Sequence, residues 1–164
     1  MAKSTPNGYT LLVGSNVPLS VNPVIFKNIP YDSLKDFAPI STVQAVPLVV
    51  LAGPKSGINS MTDLLAAAKA RPGKLAMASA GAGTTNHFAI ELFAQMANVK
   101  VLHVPYKGRG PALSELLGGQ VETMVDPLAA SIGYVCDGRL KVLAVTTRER
   151  AAALPNVPTL DKLC

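Results

Sequence analysis

Short apolar runs alternate with longer segments of helical periodicity over most of the chain. From residue 61 onward the pattern predicts helix and strand in turn, with helices over residues 61–70, 88–97, 111–118 and 127–137 and strands over residues 74–78, 99–104, 121–125 and 140–146. Aromatic residues are scarce and alanine, valine and leucine carry the core, which is typical of an α/β protein with parallel strands buried on both faces. The alternation therefore predicts an α/β fold with a doubly wound, parallel sheet.

The first sixty residues follow a less regular pattern. The apolar run at residues 10–14 predicts a strand, and Pro18 and Pro23 limit any helix between residues 17 and 28 to a short one. Residues 40–52 form the strongest β run in the chain, which is long for a single strand. We expect this run to pass between two subdomains.

Residues that begin helices stand at three places. Ser60 and Asp63 form a capping box before the first long helix. Thr84 or Thr85 caps the next helix, and Asp126 caps the last one, ahead of a proline at the first helical position. Within the second of these helices apolar side chains recur every four positions, which predicts a stripe packed on the core, made of Phe88, Leu92 and Met96 with Ala89 and Phe93.

Composition narrows the class of protein. The chain has 164 residues, of which 49% are hydrophobic and 15% are charged, so it buries a core and is not disordered. Its net charge is +5, but the basic residues form no stripe with interleaved aromatics, which argues against nucleic acid as a partner. No apolar run approaches the ~18 residues of a membrane span. The first residues contain no apolar segment of a signal peptide.

A glycine-rich loop, SAGAGTTNH at residues 79–87, joins a predicted strand to a predicted helix. Gly81 and Gly83 let a ligand approach the backbone, and a cap at Thr84 or Thr85 leaves unpaired N–H groups at the positive end of the helix dipole. A carboxylate held by such groups gains about 1.5–3 kcal/mol from each charge-assisted bond. The loop lacks the lysine of a P-loop and the third glycine of a dinucleotide site. A glycine-rich turn without a ligand is the alternative.

Two further segments are expected to gather near this loop. Ligands of parallel sheets bind at the carboxyl ends of the strands, and several loops meet at that edge. The segments are residues 105–110 and the turn at Asp126. Ser15 with Asn16 occupies the equivalent place after its own strand.

Candidates for catalysis are few. His87 lies in the first turn of a helix, His103 lies inside a strand, and Asp126 is better suited to a helix cap than to a base. No nucleophile elbow, zinc-protease motif or pair of carboxylates occurs. Cys136 and Cys164 lack the spacing of a metal site, and Cys136 is expected to be half-buried. The residues indicate a site that holds a molecule, with no catalytic residue, metal or cofactor, and the protein is not expected to be an enzyme.

Several motifs together resemble the Bug family, the solute-binding receptors of tripartite tricarboxylate transporters. They are ASAGAGTTNH at residues 78–87, HVPYKG at 103–108, PAL at 111–113, LGGQV at 117–121, PNGYTL at 6–11 and LPNVPT at 154–159. The resemblance covers almost the whole chain. It implies a periplasmic-binding-protein-like fold of type II, in which two α/β lobes close on a small carboxylate. It also implies a periplasmic location and the membrane components of a tripartite transporter as partners.

The resemblance implies ligand-binding roles for a defined set of residues. Asp126 stands near the ligand in the second lobe, and Ser15 and Asn16 stand on the facing lobe. The residues that grip a ligand carboxylate in the second lobe are Ser79, Gly81, Gly83, Thr84 and Thr85.

By the same resemblance the chain is divided between lobes. Residues 1–43 form part of the first lobe, residues 44–142 a nearly complete second lobe, and residues 143–164 the return hinge with another part of the first lobe. The family pattern also has a signal peptide, a first strand with its own glycine-rich loop, and C-terminal helices, so we expect a chain truncated at both ends. Arg109 stands where the family commonly has a small residue, and it is either an added contact to an anionic ligand or a solvated surface charge.

The leading hypothesis is an extracytoplasmic receptor that binds a small mono- or dicarboxylate through backbone N–H groups at a helix N-terminus. A second hypothesis is a truncated interaction protein that binds no ligand and self-associates through the exposed apolar surface of its incomplete lobe. A third is an α/β enzyme acting on an anionic substrate, with Asp126 or His87 as acid or base.

Overall fold

The computed structural model describes residues 2–160 of the chain. Contacts within it form two compact units, one of residues up to Ala45 and the other of residues from Val46 onward. The assignment of the chain to lobes of a larger receptor stays a prediction.

The first unit contains little regular structure. A π-turn at Val17–Val21 leads into the short helix α1, Asn22–Ile25, and each has a proline in its first turn, so the short helix predicted here is confirmed. The strand predicted at residues 10–14 is wrong, because that segment forms no ladder with another strand among the described residues. No residue between 2 and 45 is buried, so this unit has no core of its own.

The second unit is built on a mixed sheet. Within the described residues the sheet has five strands in the order β3-β2-β4-β1-β5, namely β1 Leu48–Ala52, β2 Ala76–Ser79, β3 Leu102–Pro105, β4 Thr123–Pro127 and β5 Lys141–Val145. Strand β2 pairs in parallel with β3 and β4, whereas β1 pairs antiparallel with β4 and β5. The predicted α/β class is confirmed, and the expectation of a uniformly parallel sheet is wrong for β1.

Strand β1 is shorter than the strand predicted over residues 40–52. It occupies only Leu48–Ala52, and Pro47, which has no N–H to give to a ladder, stands just before it. Every residue of β1 is buried, since the strand lies between β4 and β5. A strand buried in this way is apolar at every position whatever its direction, so the pattern contained no sign that β1 runs antiparallel.

Helices cover both faces of this sheet. Among the described residues they are α2 Met61–Ala70, α3 Thr85–Met96, α4 Arg109–Gly118 and α5 Leu128–Cys136. Successive residues of β1 point to opposite faces, so Val50 packs in a cluster with α2 and α3, while Val49 and Leu51 pack in a cluster with α4 and α5. No helix in this part of the chain has the length and apolar character needed to cross a bilayer.

Helices α2 and α3 begin at side-chain caps that the sequence predicts. Ser60 Oγ accepts the N–H of Asp63 at 3.1 Å, and Thr84 Oγ1 accepts the N–H of His87 at 3.4 Å. Each bond satisfies one N–H of a first turn that has no partner inside the helix. The cap at Thr84 therefore fixes where the glycine-rich loop ends and α3 begins.

The buried face of α3 is rotated from the predicted one. It consists of Asn86, Ile90 and Phe93, whereas Leu92 and Met96 are 56% and 55% exposed. A recurrence of four residues drifts around a helix of 3.6 residues per turn, so the predicted stripe does not stay on one face. Phe93 is the one member of that stripe that is buried.

The expectation of a half-buried thiol at Cys136 is wrong. Cys136 is the last residue of α5 and is exposed, as are the three residues that follow it. The other cysteine, Cys164, lies outside the described residues.

Candidate functional site

The carboxyl ends of β2, β3 and β4 lie side by side, because these strands are parallel neighbours. The loops that follow β2 and β3 are tied together there. The N–H of Tyr106 donates to Ser79 O at 3.1 Å, and the N–H of Gly108 donates to Ala80 O at 2.9 Å. Gly81 has a φ of +146°, and a Cβ on it would lie 3.1 Å from Tyr106 O. Glycine is required where the two loops approach each other.

Ser79 ends β2 and is wholly buried. Its Oγ accepts the N–H of Gly81 at 3.2 Å and donates to Gly81 O at 3.2 Å. The same Oγ shares a hydrogen bond of 2.7 Å with Nε2 of His103 on β3. One hydroxyl group thus holds the first half of the loop closed.

Thr84 closes the loop from the other end. In addition to capping α3, its Oγ1 donates to Gly81 O at 2.7 Å, and its N–H donates to the same carbonyl at 3.4 Å. Gly81 therefore receives contacts from both ends of the loop. The loop forms a compact turn at the N-terminus of α3.

His87 holds the middle of the loop. The N–H of Gly83, whose φ is +76°, donates to His87 Nδ1 at 3.1 Å. A nitrogen that accepts a hydrogen bond carries no proton, so neutral His87 has its proton on Nε2, which lies 3.6 Å from Glu91 Oε1. This role of His87 was not predicted from the sequence.

The expectation of unpaired N–H groups at residues 81–85 is wrong for three of them. The amides of Gly81, Gly83 and Thr84 donate to a serine hydroxyl, a histidine nitrogen and a loop carbonyl. A loop satisfies its own polar groups where it can, because an unpaired amide costs free energy. The amide of Ala82, an exposed residue, has no acceptor among the described residues.

Asn86 anchors the first turn of α3 and was missed by the sequence analysis. Its Nδ2 donates to Val125 O of β4 at 2.7 Å, and the residue is 8% exposed. The signal available in the sequence was a polar residue in line with Ile90 and Phe93. The bond fixes the N-terminus of α3 against the sheet.

His87 and His103 form a stacked pair beside the loop. Their ring centroids are 4.0 Å apart and their planes are inclined by 13°. Burial lowers the pKa of His103, the charge of His87 lowers it further, and Glu91 opposes both effects. The charged form of His103 is thus disfavoured.

His87, Glu91 and His103 bring three ligand-type atoms within 4.8 Å of one another. Two imidazoles that bind one metal ion direct their lone pairs at it within their ring planes, so the two rings cannot also be stacked in parallel. His87 Nδ1 and His103 Nε2 are also engaged with Gly83 and Ser79. The cluster is therefore not arranged as a metal site.

Asp126 lies inside β4, opposite Val49 of β1, and Pro127 occupies the cap position of α5. The prediction that Asp126 caps a helix is wrong, because β4 continues through it. Its carboxylate is wholly buried, with Oδ2 accepting from Arg109 Nε at 2.8 Å and from Ser131 Oγ. Its Oδ1 has no hydrogen-bond partner among the described residues.

Arg109 is the first residue of α4, which begins two residues before its predicted start at Pro111. Its side chain is 33% exposed, and beside its bond to Asp126 its Nη2 donates to Ala130 O at 2.5 Å. A buried carboxylate needs such a counter-charge. The interpretation of Arg109 as a solvated surface charge is wrong, and a contact to an anionic ligand stays a prediction.

The predicted site residues fall in both units. In the first unit Ser15 lines an open hollow of about 430 Å³, and Asn16 directly precedes the π-turn. The others lie at the carboxyl edge of the sheet in the second unit, namely Ser79, Gly81, Gly83, Thr84, Thr85 and Asp126. Their role in binding a ligand stays a prediction.

The chain is similar to receptors of bacterial transporters. The family model described as "Tripartite tricarboxylate transporter family receptor" matches residues 1–164. Protein BugT of Bordetella pertussis is 39% identical over 163 residues, which are 99% of this chain and 50% of that protein. The chain thus spans about half the length of the curated relatives it matches.

The chain is also similar to solved structures of periplasmic binding proteins. Rpa4515 of R. palustris, solved with adipate, has a TM-score of 0.85 and 33% identity, covering 98% of this chain and 54% of that one. MatC of Rhodopseudomonas palustris, solved with bound malate, has a TM-score of 0.73 and 26% identity, covering 90% and 48%. The fold is that of periplasmic binding proteins, as one lobe with part of another. The chain belongs to the family of tripartite tricarboxylate transporter receptors.

Proposed function

We propose that the chain is part of a solute-binding receptor and binds a small mono- or dicarboxylate at the loop of residues 79–85. Its family supports this, as do the two similar structures whose names include adipate and malate. The observation that carries the mechanism is the pairing of two loop amides with neutral side-chain atoms. Those of Gly81 and Gly83 donate to Ser79 Oγ and His87 Nδ1.

A carboxylate is a stronger acceptor than the atoms that now hold these amides. A hydrogen bond between neutral groups contributes about 0.5–1.5 kcal/mol net, and one to a charged group about 1.5–3 kcal/mol. Each exchange therefore favours the ligand by about 1 kcal/mol. The dipole of α3, which has 12 residues, adds to the attraction at its N-terminus. The internal bonds keep the loop close to its binding shape beforehand.

We also propose roles for the other predicted site residues. Thr84 and Thr85 begin α3 and hold its N-terminus toward the ligand. Asp126 acts through Arg109, whose guanidinium it fixes at the same edge of the sheet. Ser15 and Asn16 are proposed as further ligand contacts, on the family resemblance alone.

We further propose that the receptor acts in the periplasm and delivers its carboxylate to the membrane components of a tripartite transporter. The name of the matching family and the periplasmic proteins among the similar structures support this.

Catalysis explains the residues at this edge of the sheet less well than ligand binding does. Ser79 Oγ lies 2.7 Å from His103 Nε2, but the hydroxyl donates its proton to Gly81 O, so it is not paired with the imidazole as a nucleophile is with its base. Asp126 is buried and paired with Arg109, and His87 Nδ1 already accepts a loop amide. Both groups considered as acid or base are thus engaged in holding the structure.

Self-association is a second candidate function, favoured by the surface of the first unit. Several large apolar side chains there are more than four-fifths exposed, including Tyr9, Val13, Val24 and Leu34. Exposed apolar side chains promote association in water where they lie next to one another. Sedimentation over a wide range of chain concentrations tests this, and a monomer at all concentrations would count against it.

Isothermal titration of the chain tests the receptor proposal, with acetate, adipate and malate as ligands and glucose and glucose phosphate as controls. We expect heat of binding with at least one carboxylate and none with the controls. The Gly81→Ala variant should lose binding, because a φ of +146° strains an alanine and its Cβ would lie only 3.1 Å from Tyr106 O. Gly133→Ala is the matched control, since a Cβ at that helical glycine meets open space. Binding of the sugar or its phosphate without any carboxylate would show the proposal to be wrong.

A further inference from the structure

His87 couples the protonation of a side chain to the availability of a loop amide. The N–H of Gly83 donates to His87 Nδ1 at 3.1 Å. An imidazole nitrogen that carries a proton cannot accept a hydrogen bond, so a proton on Nδ1 must break this one. The amide of Gly83 then needs a new acceptor, and Nδ1 becomes a second donor beside it.

Two titratable groups lie against this imidazole, one on its own helix and one on β3. Glu91 of the same helix lies 3.6 Å from Nε2, and His103 of β3 stacks on the ring at 4.0 Å. Helix α3 also contacts β2, which is uncharged, and β4, whose Asp126 is paired with Arg109. Glu91 therefore stabilises a positive charge on His87, whereas a charge on His103 opposes it.

We propose that His87 contacts the ligand and makes carboxylate binding at Gly83 take up a proton. The inference rests on the carboxylate site proposed above. A carboxylate that accepts the N–H of Gly83 displaces His87 Nδ1 from that role. The displaced nitrogen takes a proton from solvent and donates it as a hydrogen bond to the carboxylate. Anion binding and proton binding at His87 then favour each other by the same factor, as linkage requires.

The sign of the pH dependence follows from this exchange. Affinity rises as the pH falls, by at most about tenfold per pH unit, which is the limit for uptake of one proton. The range to measure is about pH 8 to about pH 6.5, which lies above the usual pKa of carboxylates, so that the ligands stay ionised throughout. The chain has two histidines, His87 and His103, which makes the assignment of the proton tractable.

The tautomer of His87 tests the inference without any ligand. Nitrogen–proton correlation of the imidazole rings near pH 8 should show the proton of His87 on Nε2 and none on Nδ1. The amide signal of Gly83 should shift on acidification with the same midpoint as the His87 ring. A proton on Nδ1 near pH 8, or a Gly83 signal that ignores this titration, would overturn the inference.

Calorimetry with adipate then tests the linkage itself. Titrations of the chain in two buffers with different heats of ionisation should report proton uptake. The affinity should rise at least about threefold between about pH 8 and about pH 6.5. His87→Gln retains an oxygen that can accept the N–H of Gly83 but cannot titrate, so its affinity should not vary with pH. His103→Gln should keep the pH dependence.

The outcomes separate the inference from the proposed function. Adipate binding that does not vary with pH and takes up no proton would overturn the inference and leave the receptor proposal intact. Loss of the pH dependence in His103→Gln but not in His87→Gln would place the proton on the other ring and overturn the role of His87. Failure of adipate and malate to bind at any pH would overturn the proposed function, and the inference with it.

Discussion

The first unit and the second unit contain similar kinds of apolar side chain, but only the second buries them. No residue between 2 and 45 is buried, whereas the second unit has residues such as Leu51 and Leu64 with no exposed surface. The run at residues 10–14 and strand β1, Leu48–Ala52, are both short and apolar, yet only β1 forms a ladder among the described residues. An apolar run becomes a strand when neighbouring strands and covering helices are present to pair with it and bury it.

Truncating one leucine in each unit gives the largest expected contrast. Leu64→Ala, in the buried face of α2, should lower the free energy of unfolding by about 2–5 kcal/mol, because it removes buried carbon and leaves a cavity. Leu34→Ala, at a side chain that is 92% exposed, should change it by less than about 0.5 kcal/mol. Urea unfolding followed by circular dichroism measures both. A loss for Leu34→Ala as large as the one expected for Leu64→Ala would show that the first unit has a core of its own.

Ion pairs provide a smaller contrast of the same kind. Arg109→Met leaves the buried carboxylate of Asp126 without its counter-charge and should cost about 2–3 kcal/mol, toward the low end for a buried pair because a third of the arginine side chain is exposed. Lys35 pairs with Asp32 in the first unit, where the two side chains are 84% and 46% exposed, so Lys35→Met should leave the free energy of unfolding without a measurable change.

The same unfolding measurement applies to the ion pairs, with one further variant. Adding Asp126→Asn to Arg109→Met should recover part of the lost free energy, because the uncompensated charge is removed. If the double variant were less stable than Arg109→Met alone, the buried charge would not be the cause.

The pH dependence of stability is the smallest of these effects and should belong to the second unit. Burial lowers the pKa of His103 below 6.5, so the unfolded chain takes up a proton that the folded chain resists. The free energy of unfolding of this unit should therefore fall as the pH is lowered through about 6.5, down to the lowered pKa. Unfolding midpoints at about pH 7.5 and about pH 5.5 measure the loss. His103→Gln should flatten it, and an unchanged slope would contradict this account.

Much of the second unit could be predicted from the sequence because its signals are local. The cap at Ser60 and the loop from β2 into α3 depend on residues a few positions apart, and both lie where they were predicted. The direction of β1 could not be predicted, since it depends on pairing with β4 and β5, which lie far away in the sequence. Long-range pairing leaves little trace in a run that is apolar at every position.

The glycine-rich loop was predictable in its position but not in its bonding. Glycines and threonines between a strand and a helix indicated the loop, and its residues meet at the carboxyl edge of the sheet as expected. The partners of its amides could not be predicted, because His87 Nδ1 and Ser79 Oγ act as acceptors only in the folded geometry. The ion pair of Arg109 with Asp126 was missed for the same reason, since 17 residues separate the two.

The exchange of loop acceptors for a carboxylate is the central claim, and amide nuclear magnetic resonance tests it most directly. Titration of the isotope-labelled chain with adipate should move the amide signals of Gly81 and Gly83 in a saturable manner. Those of Gly57 and Gly133, which lie outside the loop, should stay in place. Saturable shifts elsewhere with Gly81 and Gly83 unmoved, or no shift with any carboxylate, would contradict the account.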